Sequence, residues 1–200
     1  LALDGPGGFN PRGGTAEDYI ATAYYAYSAE LVARAARVLG KKDMAREYQT
    51  LSDEVKEGFQ KEFLTPNGRL AVDTQTAYVL ALYMDLIPEK FRKRAASTLE
   101  RKLKENNYHL KTGFVGTPLL CRVLSENGYN DTAYRLLLNE DFPGWLYEVK
   151  MGATTIWERW NSLLPNGKFG ERGMNSLNHY AFGSIVEWMY RNMCGIQPVE

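Results

Sequence analysis

The chain has 200 residues, 44% hydrophobic and 24% charged, with 24 basic side chains against 24 acidic ones. That composition suits a single globular unit spanning 1–200 that buries roughly 70% of its unfolded surface and needs neither metal nor disulfide to hold together. Zero net charge without a basic, aromatic-laced stripe argues against nucleic acid as a partner, and no apolar run reaches the roughly 18 residues of a membrane-spanning helix. The start, "LALDGPGGFNPRGG", has no basic region followed by an apolar one. It opens in a glycine-rich loop with no element before it, so the chain reads as truncated at its N-terminal side and carries no signal of compartment. Cys121, in "PLLCRVL", and Cys194 read as buried or incidental thiols.

The first helix is expected from Thr15, as N-cap with Asp18 in the first turn, to the C′ glycine Gly40. Its apolar residues run nearly all the way round, with Ile20, Ala23, Tyr24, Tyr27, Leu31 and Val38 on one side and Tyr25, Ala29, Val32 and Ala36 elsewhere, so it should be mostly buried. The next helix, Asp43 to Phe63, shows a single stripe of Met44, Tyr48, Leu51, Val55, Phe59 and Phe63. The alternation repeats at a period of about 45 residues. Asp73 to Ile87 is apolar all round, and Glu89 to Glu105 carries a stripe of Phe91, Ala95, Leu99 and Leu103. Thr117 and Pro118 open a third apolar helix, and Asn130 caps a short amphipathic one with Ala133, Tyr134, Leu137 and Leu138. A last apolar helix is expected from Ser176 to Met193. Inner and outer helices alternating along a chain predict an all-α double layer, an open solenoid or a closed ring of helical hairpins.

The connections add direction. Inner-to-outer links are short ("GKK", "PE", "NGYN"), whereas the outer-to-inner links 1–14, 64–72, 107–116 and 140–174 are long and rich in Gly, aromatic and polar residues. All the long links must share one rim, toward which the inner helices aim their N-termini. Long loops gathered in this way mark a functional face.

The longest link holds "GATTIWERW", in which Glu158 stands between Trp157 and Trp160 with Arg159 beside it. Local sequence leaves two readings open. One is a surface Glu paired with Arg159, with the tryptophans as core anchors. The other is a carbohydrate site, in which sugar C–H faces pack on indole and hydroxyls meet polar groups. A carboxylate of ordinary acidity is ionised at neutral pH, which suits a base or nucleophile better than an acid. His179 and Asn178, in "NSLNHYAFGS", belong to the same rim, as packing residues or as hydrogen-bonding partners of ligand hydroxyls. Trp145, in the same link, is a further candidate contact. His109, in "NNYHLKTGFVGT", reads as loop structure, with Gly113 and Gly116 allowing close backbone approach. Two histidines without a Cys cluster give no metal spacing, and "GPGG" and "PRGG" lack the context of a phosphate loop, so no cofactor is expected.

Taken together, "TAYYAYSAELVARAARVLGK", "DTQTAYVLAL", "HLKTGFVGTPLL", "GATTIWERWNS" and "MNSLNHYAFGSIVEWMY" resemble the catalytic domain of bacterial α-L-rhamnosidases, glycoside hydrolases of family 78, over nearly the whole chain and in family order. The resemblance implies an (α/α)6 barrel and inverting hydrolysis of terminal α-L-rhamnosides, with Glu158 at the general-base position and His179 at a sugar-contacting one. It also exposes a departure. The family's general acid lies in a segment resembling Asp-Arg-x-Glu followed by Gly-Trp-x-Gly-Asp, and nothing here matches; "NEDFPGWLYE", with Glu140 before Trp145, is a coincidental look-alike. Inverting chemistry needs two carboxyls about 6.5–9.5 Å apart, so this chain is expected to be the C-terminal half or so of a six-hairpin barrel and inactive alone. Its open barrel edges would then favour self-association. The competing expectations are a non-catalytic helical-repeat scaffold that binds protein or glycan on its loop-rich rim, and another α/α-barrel enzyme such as a lyase.

Overall fold

Alanine at every third or fourth position decides how the first helix packs. In the computed structural model, which describes residues 13–170 and 173–198, α1 (Glu17–Val38) buries Tyr19, Ala23, Ala26, Ala29, Ala33 and Ala36. This small-residue face lets α2 (Lys42–Phe63) approach closely, with Phe59 and Phe63 packed edge-on to Tyr19 at 4.8 and 5.0 Å. Polar groups in the seam are satisfied: Ser52 Oγ donates to Ala26 O (2.9 Å), and Tyr19 Oη donates to Ala77 O (2.8 Å). The expectation that α1 is mostly buried is corrected. Tyr24, Tyr25, Leu31 and Val32 are exposed, because only one side of the helix meets α2 and the next inner helix.

That inner helix, α3 (Gln75–Tyr83), has buried side chains from Gln75 through Leu82, as its all-round apolar sequence requires. Each of its fully buried leucines, Leu80 and Leu82, contributes about 1.5–3 kcal/mol from desolvation alone. Outside it lies α4 (Glu89–Glu105), whose stripe of Ala95, Ala96, Leu99 and Leu103 is buried. The third hairpin is α5 (Thr117–Glu126) with α6 (Asn130–Leu137). Cys121 of α5 is sealed and its thiol pushed up to about 12 by burial, whereas Cys194 is exposed. α1 packs on α2 and α3, α3 on α4 and α5, and α5 on α6 and the last inner segment. Among the described residues the regular elements are helices, joined by two isolated β-bridges, Leu64 with Leu70 and Leu163 with Phe169. None of the helices is long and apolar enough to cross a membrane.

Several expected boundaries move, each because a side chain is engaged elsewhere. Thr15 does not cap α1; Ala16 holds that position and Thr15 Oγ1 bonds to Thr74 Oγ1 (2.6 Å). Thr74 is the cap of α3, accepting from the Ala77 amide. Asn130 lies inside α6 and accepts from Ser125 Oγ (2.8 Å). The 140–174 link contains an unforeseen helix, α7 (Trp145–Lys150). The last helix is shorter and broken: α8 (Tyr180–Gly183), α9 (Ile185–Trp188) and a π-helical turn, Met189–Met193. The expected opening loop "LALDGPGGFNPR" lies outside the described residues.

The described ends of the long links meet on one rim. Thr15 touches Thr74; Gln75, at the start of α3, accepts from the Lys111 amide (2.8 Å) and donates to His109 O (3.3 Å); Phe114 stacks on His179 at 4.9 Å. Each contact joins residues in or just beyond one link to those in or just beyond the next. Gly116 explains itself there, since a Cβ at this position would stand 3.0 Å from both Thr76 Oγ1 and Thr112 Cγ2.

Candidate functional site

"GATTIWERW" begins where α7 ends. Gly152 takes the left-handed conformation (φ 87°), the Gly152 amide donating to Val149 O and the Ala153 amide to Glu148 O, so the glycine turns the chain out of the helix. The segment then runs antiparallel to 176–179. Glu158 N–H donates to Ser176 O (2.9 Å), His179 N–H donates to Ile156 O (2.9 Å), and Thr155 Oγ1 donates to Leu177 O. The Ser176 amide also donates to Glu158 Oε2 at 3.1 Å. Backbone pairing and this one side-chain bond fix the half-buried Glu158 carboxylate in direction.

Bends at Glu158 and Arg159 and a turn at Trp160 break the extended course, and both indoles of the segment end up inside. Trp157 and Trp160 are 2% and 3% exposed. Trp160 lies flat on Phe182 (4.0 Å, 5°) and edge-on to Trp145 (5.3 Å, 85°), whose Nε1–H donates to Phe182 O at 2.9 Å. Trp145 and Trp160 thus anchor the loop to α8, and at such burial little surface of the three indoles is left for a sugar. Arg159 does not need Glu158 as its partner: its Nη1 donates to Gly173 O (3.4 Å) and its amide to Ser162 Oγ (3.1 Å).

His179 is the N-cap of α8, its Nδ1 accepting from the Ala181 amide at 3.2 Å. The ring is stacked between Phe114 (4.9 Å, 15°) and Tyr180 (5.2 Å, 15°). A neutral imidazole with Nδ1 used as acceptor carries its proton on Nε2, as a donor. Asn178 is exposed, its backbone tied to Ser176 Oγ (3.3 Å). The structure thus brings Glu158, Asn178 and His179 to one pair of segments on the loop-rich rim. His109 is half-buried in the neighbouring link, bound through its backbone to Gln75 and Asn106. Glu140 is a surface partner of Lys150 (2.9 Å).

Two residues of the site are missing from the sequence-level candidates. Phe114, the platform under His179, lies in a link already singled out, but nothing in "KTGFVGT" says which ring it meets. Glu148 is 1% exposed, and its Oε2 accepts the Trp157 amide at 3.2 Å. Burial pushes its carboxyl up to about 8, with the Trp157 hydrogen bond pulling the other way. Its place was readable only once Trp145 to Lys150 is a helix, because Glu148 then shares the buried face of Trp145 at i, i+3.

Comparison with known proteins agrees with this architecture. The family model described as the bacterial alpha-L-rhamnosidase 6 hairpin glycosidase domain matches residues 3–193. An alpha-L-rhamnosidase of Streptomyces avermitilis is 48% identical over 184 residues, 92% of this chain and 18% of that protein. One from Formosa agariphila is 47% identical over 193 residues, 96% of this chain and 21% of its own length. Among solved structures, the Streptomyces avermitilis alpha-L-rhamnosidase complexed with L-rhamnose superposes with a TM-score of 0.87 at 45% identity, covering 96% of this chain and 19% of that one. The native Aspergillus terreus enzyme gives 0.93 at 38% identity, covering 100% and 23%. The chain therefore spans about a fifth of the length of the curated relatives it matches. By the family model, the level of identity and the shared helical architecture, this chain belongs to the bacterial α-L-rhamnosidase six-hairpin glycosidase family.

Proposed function

We propose that this chain supplies the water-activating part of the active site of an inverting α-L-rhamnosidase, with Glu158 as general base and His179 and Asn178 orienting hydroxyls of the sugar. The observation that carries the proposal is the pairing of 155–158 with 176–179. It sets a carboxylate, held at Oε2 by the Ser176 amide, beside a histidine whose Nδ1 is already occupied and whose Nε2–H is a donor. Trp145, Trp157 and Trp160 act from behind, keeping the loop rigid. Membership of the family, and a relative complexed with L-rhamnose, support a rhamnose-containing glycoside as the substrate.

In this reading a water oxygen bonds to the anomeric carbon from the face opposite the leaving group, while its proton passes to Glu158. The glycosidic C–O bond breaks, and the departing oxygen takes a proton from a second carboxyl. Among the described residues of the 140–158 link, neither other glutamate suits that second role, since Glu140 is an exposed partner of Lys150 and Glu148 is sealed from solvent. With the family's general-acid segment unmatched in the sequence, we take the general acid to come from another part of the complete domain. In a complete domain carrying this chain, Glu158→Gln should lower kcat on an aryl α-L-rhamnoside by about 10²–10⁴-fold. Near-normal turnover would overturn the assignment. The 200 residues alone should turn over the same substrate poorly, and robust activity would mean that they contain an acid.

A further inference from the structure

Glu148 is the one carboxyl in the described core, 1% exposed, and the only hydrogen bond of its side chain among the described residues is to the Trp157 amide. Its other oxygen, Oε1, is buried without a partner. Buried carboxyls are rare unless paired, and a singly bonded one is a cost to the fold. The bond it does make falls on a particular peptide group. The Ile156–Trp157 unit donates its N–H to Glu148 Oε2 and accepts the His179 amide on its C=O at 2.9 Å. That same unit immediately precedes Glu158. The Glu148 carbonyl meanwhile accepts the Ala153 amide at 3.0 Å, so one residue grips the loop at both ends of "ATTIW".

We infer that Glu148 is a positioning residue for the proposed base, fixing the Ile156–Trp157 peptide plane and through it the relative placement of Glu158 and His179. The inference rests on the reading of Glu158 as base. It does not make Glu148 a second catalytic acid, because a side chain sealed to 1% cannot reach a leaving group. Hydrogen bonds on both faces of one amide polarise each other and resist rotation of the plane. Reaction rates are sensitive to such placement, a shift of about 1 Å costing about 10²-fold. With its carboxyl raised by burial, Glu148 is largely protonated at neutral pH, a state that glutamine copies in shape and charge.

The test is made in a complete domain carrying this chain, with Glu148→Gln, Glu148→Leu and, as reference, Glu158→Gln, reading kcat and KM together with hydrogen exchange at the Trp157 amide. Glu148→Gln keeps an acceptor for Trp157 and should keep kcat within about threefold, with slow exchange. Glu148→Leu removes the acceptor and should speed exchange at Trp157 and lower kcat by about 10²-fold while KM changes far less. If Leu prevents folding, Glu148→Asp, one methylene short of the amide, carries the same expectation. Fast exchange at Trp157 with unchanged kcat would overturn the positioning role, as would a Gln variant that loses as much kcat as Leu. Full activity of Glu158→Gln would instead sink the base assignment, and the exchange data would still report whether Glu148 holds the loop.

Discussion

Two carboxyls flank the peptide chain at Trp157, and burial treats them differently. Glu158 keeps a half-exposed carboxylate at the rim, while Glu148 is sealed and its carboxyl is pushed from 4.5 up to about 8. The second shift has a sign that can be checked. Between about pH 4.5 and 8 the folded chain holds a proton that the unfolded chain has released, so the contribution of Glu148 to stability is full below this window and lost as pH rises through it. Glu148→Gln has no such titration. The urea midpoint of this variant minus that of the unsubstituted protein should therefore grow from pH 5 to pH 8 and then level. A difference that stays flat across the window would contradict the account.

Among the elements, the turn between α2 and α3 offers a clean test of packing. Gly68 has φ 78°, and a Cβ there would lie 2.3 Å from the Phe91 ring of α4. Gly128, between α5 and α6, has φ 86° with nothing within 4 Å. Gly128→Ala should cost about 1–2 kcal/mol from backbone strain alone. Gly68→Ala should cost about 1–3 kcal/mol more, through the clash. Equal losses in chemical denaturation would remove Phe91 from the explanation.

The same scale shows what could be read in the sequence. α3 and α4 were legible because hydrophobic pattern and burial agree at Gln75–Leu82 and at Ala95, Leu99 and Leu103, although the expected helix Asp73 to Ile87 shortens to Gln75–Tyr83 and Phe91 is only partly buried. The common rim was legible from link lengths alone, and with it the meeting of Glu158 and His179. α7 was not, because a six-residue helix holds too few turns for a period to emerge. The last helix was overextended because Ser176 O and His179 N–H, though followed by apolar residues, bond to Glu158 N–H and Ile156 O, and the His179 ring caps α8. For Trp157 and Trp160 the sequence left core anchors and walls of a sugar site both open, since a short loop segment does not say which side of it is covered, and the structure buries both. Glu148 was invisible for a related reason: its partner is a backbone amide, which has no signature in sequence.

At the scale of the whole molecule, three hairpins and a final inner segment pack one on the next in chain order, with large apolar side chains exposed at both ends of the series. Tyr24, Tyr25, Leu31 and Val32 are exposed on α1, and Tyr180, Val186, Tyr190 and Met193 on the last inner segment. Where exposed apolar side chains gather on one face they drive association. The 200-residue chain in solution is expected to give a light-scattering mass above that of a monomer and rising with concentration; a clean monomer at all concentrations would contradict this. Packing in chain order also accounts for why the described rim contacts run from each hairpin to the next, Thr15 to Thr74, Gln75 to Lys111 and Phe114 to His179.

The central claim, that Glu158 removes a proton from the attacking water, has a direct chemical test in a complete domain carrying this chain. Azide is a nucleophile with no proton to lose, so it bypasses a missing base. Glu158→Ala should be nearly inactive on an aryl α-L-rhamnoside, and added azide should restore turnover and yield the β-L-rhamnosyl azide, the inverted product. Undiminished hydrolysis by the alanine variant, or an inactive variant that azide does not revive, would contradict the assignment.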